Sequence, residues 1–325
     1  MTHKIIGIGN AIVDFLAKSE DDFLKKLNVD KGSMSLIDEN FVDSLSNLSI
    51  EKYSSGGSVG NAISTLAQLG NEVEFIGVVG DDATGKKFIE DIQKSGAIFN
   101  GKILQNNKTA SSFILVTQDA QRTMLTYLGC ASKIDESHFN ENDFKNAKIL
   151  YIEGYLWDSS QTILALKKSI DLAKKNNVKI AFSLSDSFCV ERHHQDFINL
   201  IKNDVDILFS NEAEALKIAQ LNHFDQEKIH DFFIKTNPKI TVALTRSEKG
   251  CVIINQDKIL EIPTKRIEKI LDTTGAGDNF ASGFLYYFVR GFDLEKCGEY
   301  GNFLAGKIIQ KFGARFDSSE IEILK

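Results

Sequence analysis

Residues 270–288 read ILDTTGAGDNFASGFLYYF: an Asp, two Thr, two Gly and a second Asp crowd into positions 272–278, and an apolar run follows at once. Gly275 and Gly277 can take backbone angles that other residues resist, and without Cβ atoms they let a ligand approach the main chain. The apolar period from Phe280 onward predicts a helix over 277–290. The first N–H groups of a helix have no intrahelical acceptor, and the axial dipole favours negative charge beside them. Thr274, Gly275, Ala276 and Gly277 are therefore a candidate cradle for a phosphoryl group in flight. Asp278, in the first turn, is placed to align an acceptor hydroxyl and take its proton. The dipole is expected to keep its pKa low, which a largely dissociative transition state tolerates. The plainer reading of Asp278 is a helix cap. The sequence has no GxxxxGK[ST] loop, and GIGNAI at 7–12 lacks the third glycine of a dinucleotide fingerprint.

Working outward, strand and helix patterns alternate. KIIGI at 4–8 reads as a buried first strand, EDDFLKKLN at 20–28 as a short amphipathic helix and MSLID at 34–38 as a short strand. GGSVGNAISTLAQLG at 56–70 is a glycine-rich loop feeding a helix, VEFIGVVG at 73–80 a strand, and 81–96 a loop and helix. Short apolar strands resume at AKILYIEG, VKIAFSLSD, VDILFSN and KITVALTRS. Such alternation signals a layered α/β fold. The run 109–129, TASSFILVTQDAQRTMLTYLG, instead suits a hairpin turning at QDAQ. With the 14–45 region it could form a separate small sheet. CVIINQDKILEIPT, 251–264, is a late β-excursion turning at NQDK, and a last helix covers 295–312. The division expected is an α/β core of 1–14, 46–97 and 129–325, with 15–45 and 98–128 as a β lid over the substrate.

Composition narrows the class. A chain of 325 residues with 42% hydrophobic content holds a large core, and a net charge of −7 argues against a nucleic-acid partner. Four Cys without paired metal spacing read as reduced thiols. The sequence has neither a signal-peptide pattern at its start nor an apolar run of membrane-spanning length, so the expected location is cytoplasmic, with no membrane partner.

DTTGAGDNFASGF resembles the C-terminal signature of the ribokinase-like, or PfkB, carbohydrate kinases. GGSVGNAISTLAQLG with IGVVGDDATGKKF resembles the N-terminal one. The resemblance runs from about residue 5 to 315. GNAIVD, KGSMSLID, RTMLTYLG, YIEGYLWD and LSDSFCVERHHQDF are most similar to the bacterial adenosine kinase-like group. It implies a three-layer core with a central, mostly parallel sheet and a β lid. It also implies ATP as donor, Mg²⁺ as cofactor and transfer to a primary hydroxyl, the 5′-hydroxyl for adenosine. A sugar kinase for ribose, fructose or a related carbohydrate is the alternative; an inactive kinase-fold binding protein is a remoter one. A K⁺-like monovalent cation near 270–277 and the choice between monomer and homodimer stay open.

The resemblance assigns further residues. Asp14, at the exit of the first strand, matches the carboxylate that binds ribose hydroxyls. Gly56, Gly57 and Asn61 match the sugar site; Asn10 either adds a bond there or ties down its own loop, and Ser58 either meets ligand or caps the next helix. Asn211 and Glu214, in FSNEAEAL, match the motif linked to Mg²⁺ and phosphate, with Glu214 acting through water; their spacing alone reads as a capping box. Thr245 and Gly250 match a nucleotide-contacting turn, although Ser247 stands where glycine is common. Arg246 either reaches phosphate or faces solvent. Arg122 is a lid candidate for steadying the phosphoryl group, Asp186 a supporting carboxylate, and Asn302 a neighbour of the adenine of ATP. A nucleoside base needs a flat apolar slot, for which Met34, Leu36, Phe113, Met124, Tyr127, Trp157 and Phe188 are candidates.

Overall fold

The apolar runs form strands whose successive side chains enter two different cores. A computed structural model describes residues 3–119, 121–256 and 258–324. Ile6, Ile8, Leu150, Ile152, Phe182 and Leu208 fill one core, while Ile5, Ile149, Tyr151, Ala181 and Phe209 fill the other. Strands buried on both faces belong to a helix-covered parallel sheet. Among the described residues this sheet has nine strands, in the order Lys258–Ile262, Cys251–Asn255, Thr241–Thr245, Ile207–Asn211, Lys179–Ser183, Ala147–Glu153, Lys4–Ile8, Val73–Ile76 and Ile98–Phe99. The pairing is parallel except where Cys251–Asn255 meets its two neighbours. One face carries the helices Ser58–Gln68, Ala83–Lys94, Ala276–Phe288 and Leu294–Ile308. The other carries Ser160–Lys175, His194–Asn203, Glu212–Ala219 and Gln226–Thr236. The three-layer α/β architecture expected from the sequence is the one observed.

A separate five-stranded sheet has the order Met34–Leu36, Arg122–Tyr127, Ala110–Val116, Ile12–Lys18 and Ile50–Ser55. Its make-up differs from the boundaries read in the sequence. Residues 12–14 and 50–55 join it, because Val13 and Asp14 pair with Ser55 and Ser54. Ile98–Phe99 instead extends the large sheet, and Lys102–Leu104 pairs with Val78–Gly80. The expected turns at 118–121 and 255–258 each include one residue, 120 and 257, outside those described. Asp21–Lys26 is the short helix anticipated over 20–28.

Register decides which face of the small sheet meets the core. Asp14 pairs with Ser112, Ser112 with Thr126, Ile114 with Met124, and Met124 with Met34. Paired residues share a face and alternate ones lie opposite. Asp14, Leu16, Ser112, Ile114, Arg122, Met124, Thr126, Met34 and Leu36 therefore share one face. Phe15, Ala17, Phe113, Leu115 and Leu125 line the other, where Leu24 and Leu45 complete a small core.

Candidate active site

The site forms at the carboxyl ends of the parallel strands, where ligands bind in open α/β sheets. Asn10, Glu153, Asn211 and Thr245 all come from such ends. The helix Ala276–Phe288 points its first turn at the same edge. Its N-cap, Gly275, has φ +78°, and a Cβ there would meet that of Ala314 at 2.6 Å. Asn279 fixes the turn by donating to the Gly275 and Ala314 carbonyls, each at 2.9 Å, and accepting from Thr65 Oγ1 at 2.7 Å.

Asp278 lies half-buried at the floor of this edge. Its Oδ1 accepts from Ser58 Oγ at 2.7 Å and its Oδ2 from Asn61 Nδ2 at 2.9 Å. Ser58 thus serves the carboxylate and caps no helix; Gly57 holds the cap position. The expected low pKa is overturned. Burial raises the Asp278 pKa, opposed by the two hydrogen bonds and the Arg315 charge.

Arg315, which has no local sequence signal, orders this cluster. Its Nε donates to Asn61 Oδ1 at 3.0 Å and its Nη2 to the Gly56 carbonyl at 2.8 Å. With Oδ1 so engaged, the amide of Asn61 must turn toward Asp278. A Cβ on Gly56 would lie 2.5 Å from Asp14 Oδ2, and Gly57 has φ +80° with the Asn10 carbonyl against it. Position 57 therefore demands glycine, and a side chain at position 56 would displace the Asp14 carboxylate. Burial pushes the Asp14 pKa to about 7, despite the opposing pull of Arg315, and Asp278 adds to the rise.

Glu153 was also missed. It is 1% exposed, and its two oxygens accept the Asn10 N–H at 2.9 Å and the Val59 N–H at 2.8 Å. It ties the loop carrying Asn10 to the start of the helix Ser58–Gln68, and burial raises its pKa to about 7. Asn10 is itself buried, which favours the loop-anchoring alternative.

Arg122 reaches down from the small sheet to the turn before Gly275. Its Nη1 donates to Asp272 Oδ1 at 2.8 Å and Thr274 Oγ1 at 2.7 Å. Asp272 also accepts the Thr274 and Gly313 N–H groups, at 2.9 and 3.0 Å, and its pKa is held near 2 by these bonds against the effect of burial. The cradle is therefore narrower than the sequence suggested. The Thr274 N–H is spent on Asp272, and the Ala276 N–H on the Thr273 carbonyl at 3.2 Å. Gly275 and Gly277 remain as its open donors, and a Cβ on Gly277 would meet nothing within 4 Å.

On the other side of this turn lies a cavity of about 590 Å³ lined by Thr245, Gly250, Ala276, Gly277, Phe280 and Asn302, among others. Arg246 is not in its wall. It is ion-paired with Glu212 at 2.9 Å and stacked 3.7 Å over the Phe224 ring, which turns it away. Asn302 Nδ2 donates to the Ile262 carbonyl at 3.1 Å. Asn211 and Glu214 form the capping box: Asn211 Nδ2 meets Glu214 Oε1 at 2.6 Å, and the backbone bonds run both ways at 3.0 and 2.9 Å. Glu214 is 4% exposed, and burial raises its pKa to about 7. Asp186 caps the short helix Ser187–Arg192 through the Cys189 N–H.

The aromatic candidates largely fail to gather. Phe113 and Tyr127 fall on the wrong face of the small sheet by strand alternation, and Phe113 stacks on Phe15 at 5.3 Å. Trp157 packs edge-on against Phe182 and Phe197 in the core, and Phe188 is exposed on a surface helix. Met34, Leu36 and Met124 do share the face of Asp14, joined by Leu16 and Ile114.

The pfkB family carbohydrate kinase model matches residues 32–321. A solved structure of adenosine kinase from Sinorhizobium meliloti superposes with a TM-score of 0.89 at 35% identity, covering 97% of this chain and 96% of that one. A probable sugar kinase from Rhizobium etli CFN 42 gives 0.90 at 35% identity, with 99% and 98% covered. The adenosine kinase of Saccharomyces cerevisiae is 27% identical over the full length of both chains. The chain belongs to the pfkB family of carbohydrate kinases and is an ATP-dependent phosphotransferase.

Proposed function

We propose that the protein transfers the γ-phosphoryl group of ATP to the 5′-hydroxyl of adenosine, forming AMP and ADP. The observation that carries this reading is the lid face. Leu36 is 46% and Met124 38% exposed, on the same side of the small sheet as Asp14. Apolar groups held open beside a carboxylate suit a ligand with a flat ring to cover and hydroxyls to bind. A free sugar would leave them wet.

In this reading Asp14 accepts from the ribose hydroxyls, and the Gly56–Gly57 main chain passes close beneath. Arg122 draws the lid onto the 272–274 turn, which keeps water from the reacting groups. A role for its charge at the phosphoryl group would require it to leave Asp272. Asp278 orients the acceptor hydroxyl through one oxygen and takes its proton, with Ser58 and Asn61 fixing its plane. Its raised pKa makes it a stronger base than the dipole alone would allow. The Gly275 and Gly277 amides donate to charge developing on the phosphoryl oxygens.

ATP fits the cavity beyond this turn, with Thr245, Gly250 and Asn302 in its wall. Mg²⁺ carried with the nucleotide would neutralise phosphate charge. No cluster of three metal-ligating side chains occurs among the described residues, and Glu214 is already bonded to Asn211, so its contact with the ion would run through water. For a K⁺-like ion, Asp272 is the carboxylate at hand, with Arg122, Thr274 and Gly313 already upon it.

The test is ADP release from Mg·ATP, screened against adenosine, other nucleosides, ribose, fructose and tagatose. Saturable turnover with adenosine, yielding AMP, is expected. Turnover with a free sugar and none with adenosine would overturn the substrate assignment and leave the phosphotransferase chemistry standing.

A further inference from the structure

Behind the substrate turn, at the edge of the small sheet, lies a second cavity of about 580 Å³. It lies between the edge strand Ile50–Ser55, the helix Ala83–Lys94 and the segment 311–319. Its basic side chains, Lys52, Lys87, Lys94, Lys311 and Arg315, outnumber its acidic ones, Asp91 and Asp317. A cationic hollow is unexpected on a chain of net charge −7.

Internal pairing quenches part of this charge. Asp91 neutralises Lys87 at 2.6 Å, Asp317 and Glu320 meet Lys311 at 2.9 and 2.5 Å, and Asp91, Asp14 and Asp278 act on Arg315. Lys52 and Lys94 have no ion-pair partner among the described residues, although both act on Asp317 through space. Arg315 spends Nε and Nη2 on the substrate turn, and its buried Nη1 has no acceptor. A buried donor without a partner is costly and rare in a native fold. Hydroxyls of Ser54, Ser64 and Ser319 add donors to the wall, and Phe312, 63% exposed, offers an aromatic surface at the rim.

We propose that this cavity binds a phosphate-bearing anion, with Lys52 and Lys94 as its charged contacts and Arg315 as its inner wall. A phosphate presents several strong acceptor oxygens and up to two negative charges, which matches unpaired ammonium groups and hydroxyl donors. The ligand is either free phosphate or a nucleotide whose base rests on Phe312. The cavity is separate from the ATP cavity, with which it shares no lining residue.

Isothermal titration of inorganic phosphate into the full chain tests this, run with and without a saturating non-hydrolysable ATP analogue. Binding is expected to persist with the analogue present. It should weaken about tenfold or more in a Lys52→Gln/Lys94→Gln double variant, whose turnover in phosphate-free buffer stays as in the parent. Loss of phosphate binding on adding the analogue would place the anion in the ATP cavity and overturn the proposal. Equal affinity in parent and double variant would overturn it as well. AMP titrated with adenosine and the analogue both present separates the two sources. Competition with phosphate that Phe312→Ala relieves identifies a nucleotide; no competition identifies free phosphate.

Discussion

Asp278 sits where two effects oppose each other. The Ser58 and Asn61 hydrogen bonds and the Arg315 charge favour its ionised form, burial disfavours it, and burial wins. A carboxylate so raised is a better proton acceptor but is useful only once ionised. Asp278→Asn keeps the hydrogen-bonding shape and removes the base. Turnover should fall about 10²–10⁴-fold with little change in nucleoside affinity; kcat measured beside a binding isotherm separates the two. Arg315 acts on the same proton from behind, since its charge lowers the pKa of both Asp278 and Asp14. Removing that charge raises both further. The acid limb of kcat/KM should therefore start above the ordinary carboxylate range and move to still higher pH in Arg315→Gln, with Arg315→Lys returning it toward the parent position. A limb that stays put in Arg315→Gln would mean that Arg315 only packs.

At the scale of elements, the first turn of the helix Ala276–Phe288 permits a clean separation of stability from chemistry. A methyl group at 277 would meet no protein atom within 4 Å, and alanine is favoured over glycine inside a helix by about 0.5–1 kcal/mol. Gly277→Ala should therefore leave the melting temperature unchanged or raise it. If the Gly277 amide faces the moving phosphoryl group, the same methyl intrudes there and turnover drops by about tenfold or more. Undiminished turnover in a protein at least as stable would remove Gly277 from the cradle. The helix itself was legible because its glycines, its acidic first turn and its apolar period fall within 19 consecutive residues. The lid was legible only as strands. FILV at 113–116 is apolar on both faces, so alternation could not say whether Phe113 or Ile114 meets the substrate. That choice lies in the pairing of Asp14 with Ser112, which no local pattern records.

Across the whole molecule, the residues hidden from the sequence are those whose partners are remote. Glu153 bonds to residues 143 and 94 positions away, and Arg315 to ones 254 and 259 away. Each is a single polar residue with no periodicity to mark it, so only the assembled fold reveals it. Concentrating buried carboxylates at one edge of the sheet has a consequence for stability. Glu153 and Glu214 have pKa values raised to about 7, whereas an unfolded Glu titrates near 4.3. Between those limits the native state holds more protons than the unfolded chain, so stability falls as pH rises through the window. Asp14 and Asp278 act in the same direction with more solvent about them. His3, with its pKa lowered by burial, opposes them. Asp272, held near 2, contributes stability that is lost only as pH falls below the unfolded value. The ligand-free protein should therefore melt several degrees higher at about pH 5 than at about pH 7.5, in phosphate-free buffers of constant ionic strength. A melting temperature that climbs over the same interval would mean that the bonds to Asn10, Val59 and Asn211 stabilise the ionised carboxylates more than burial disfavours them.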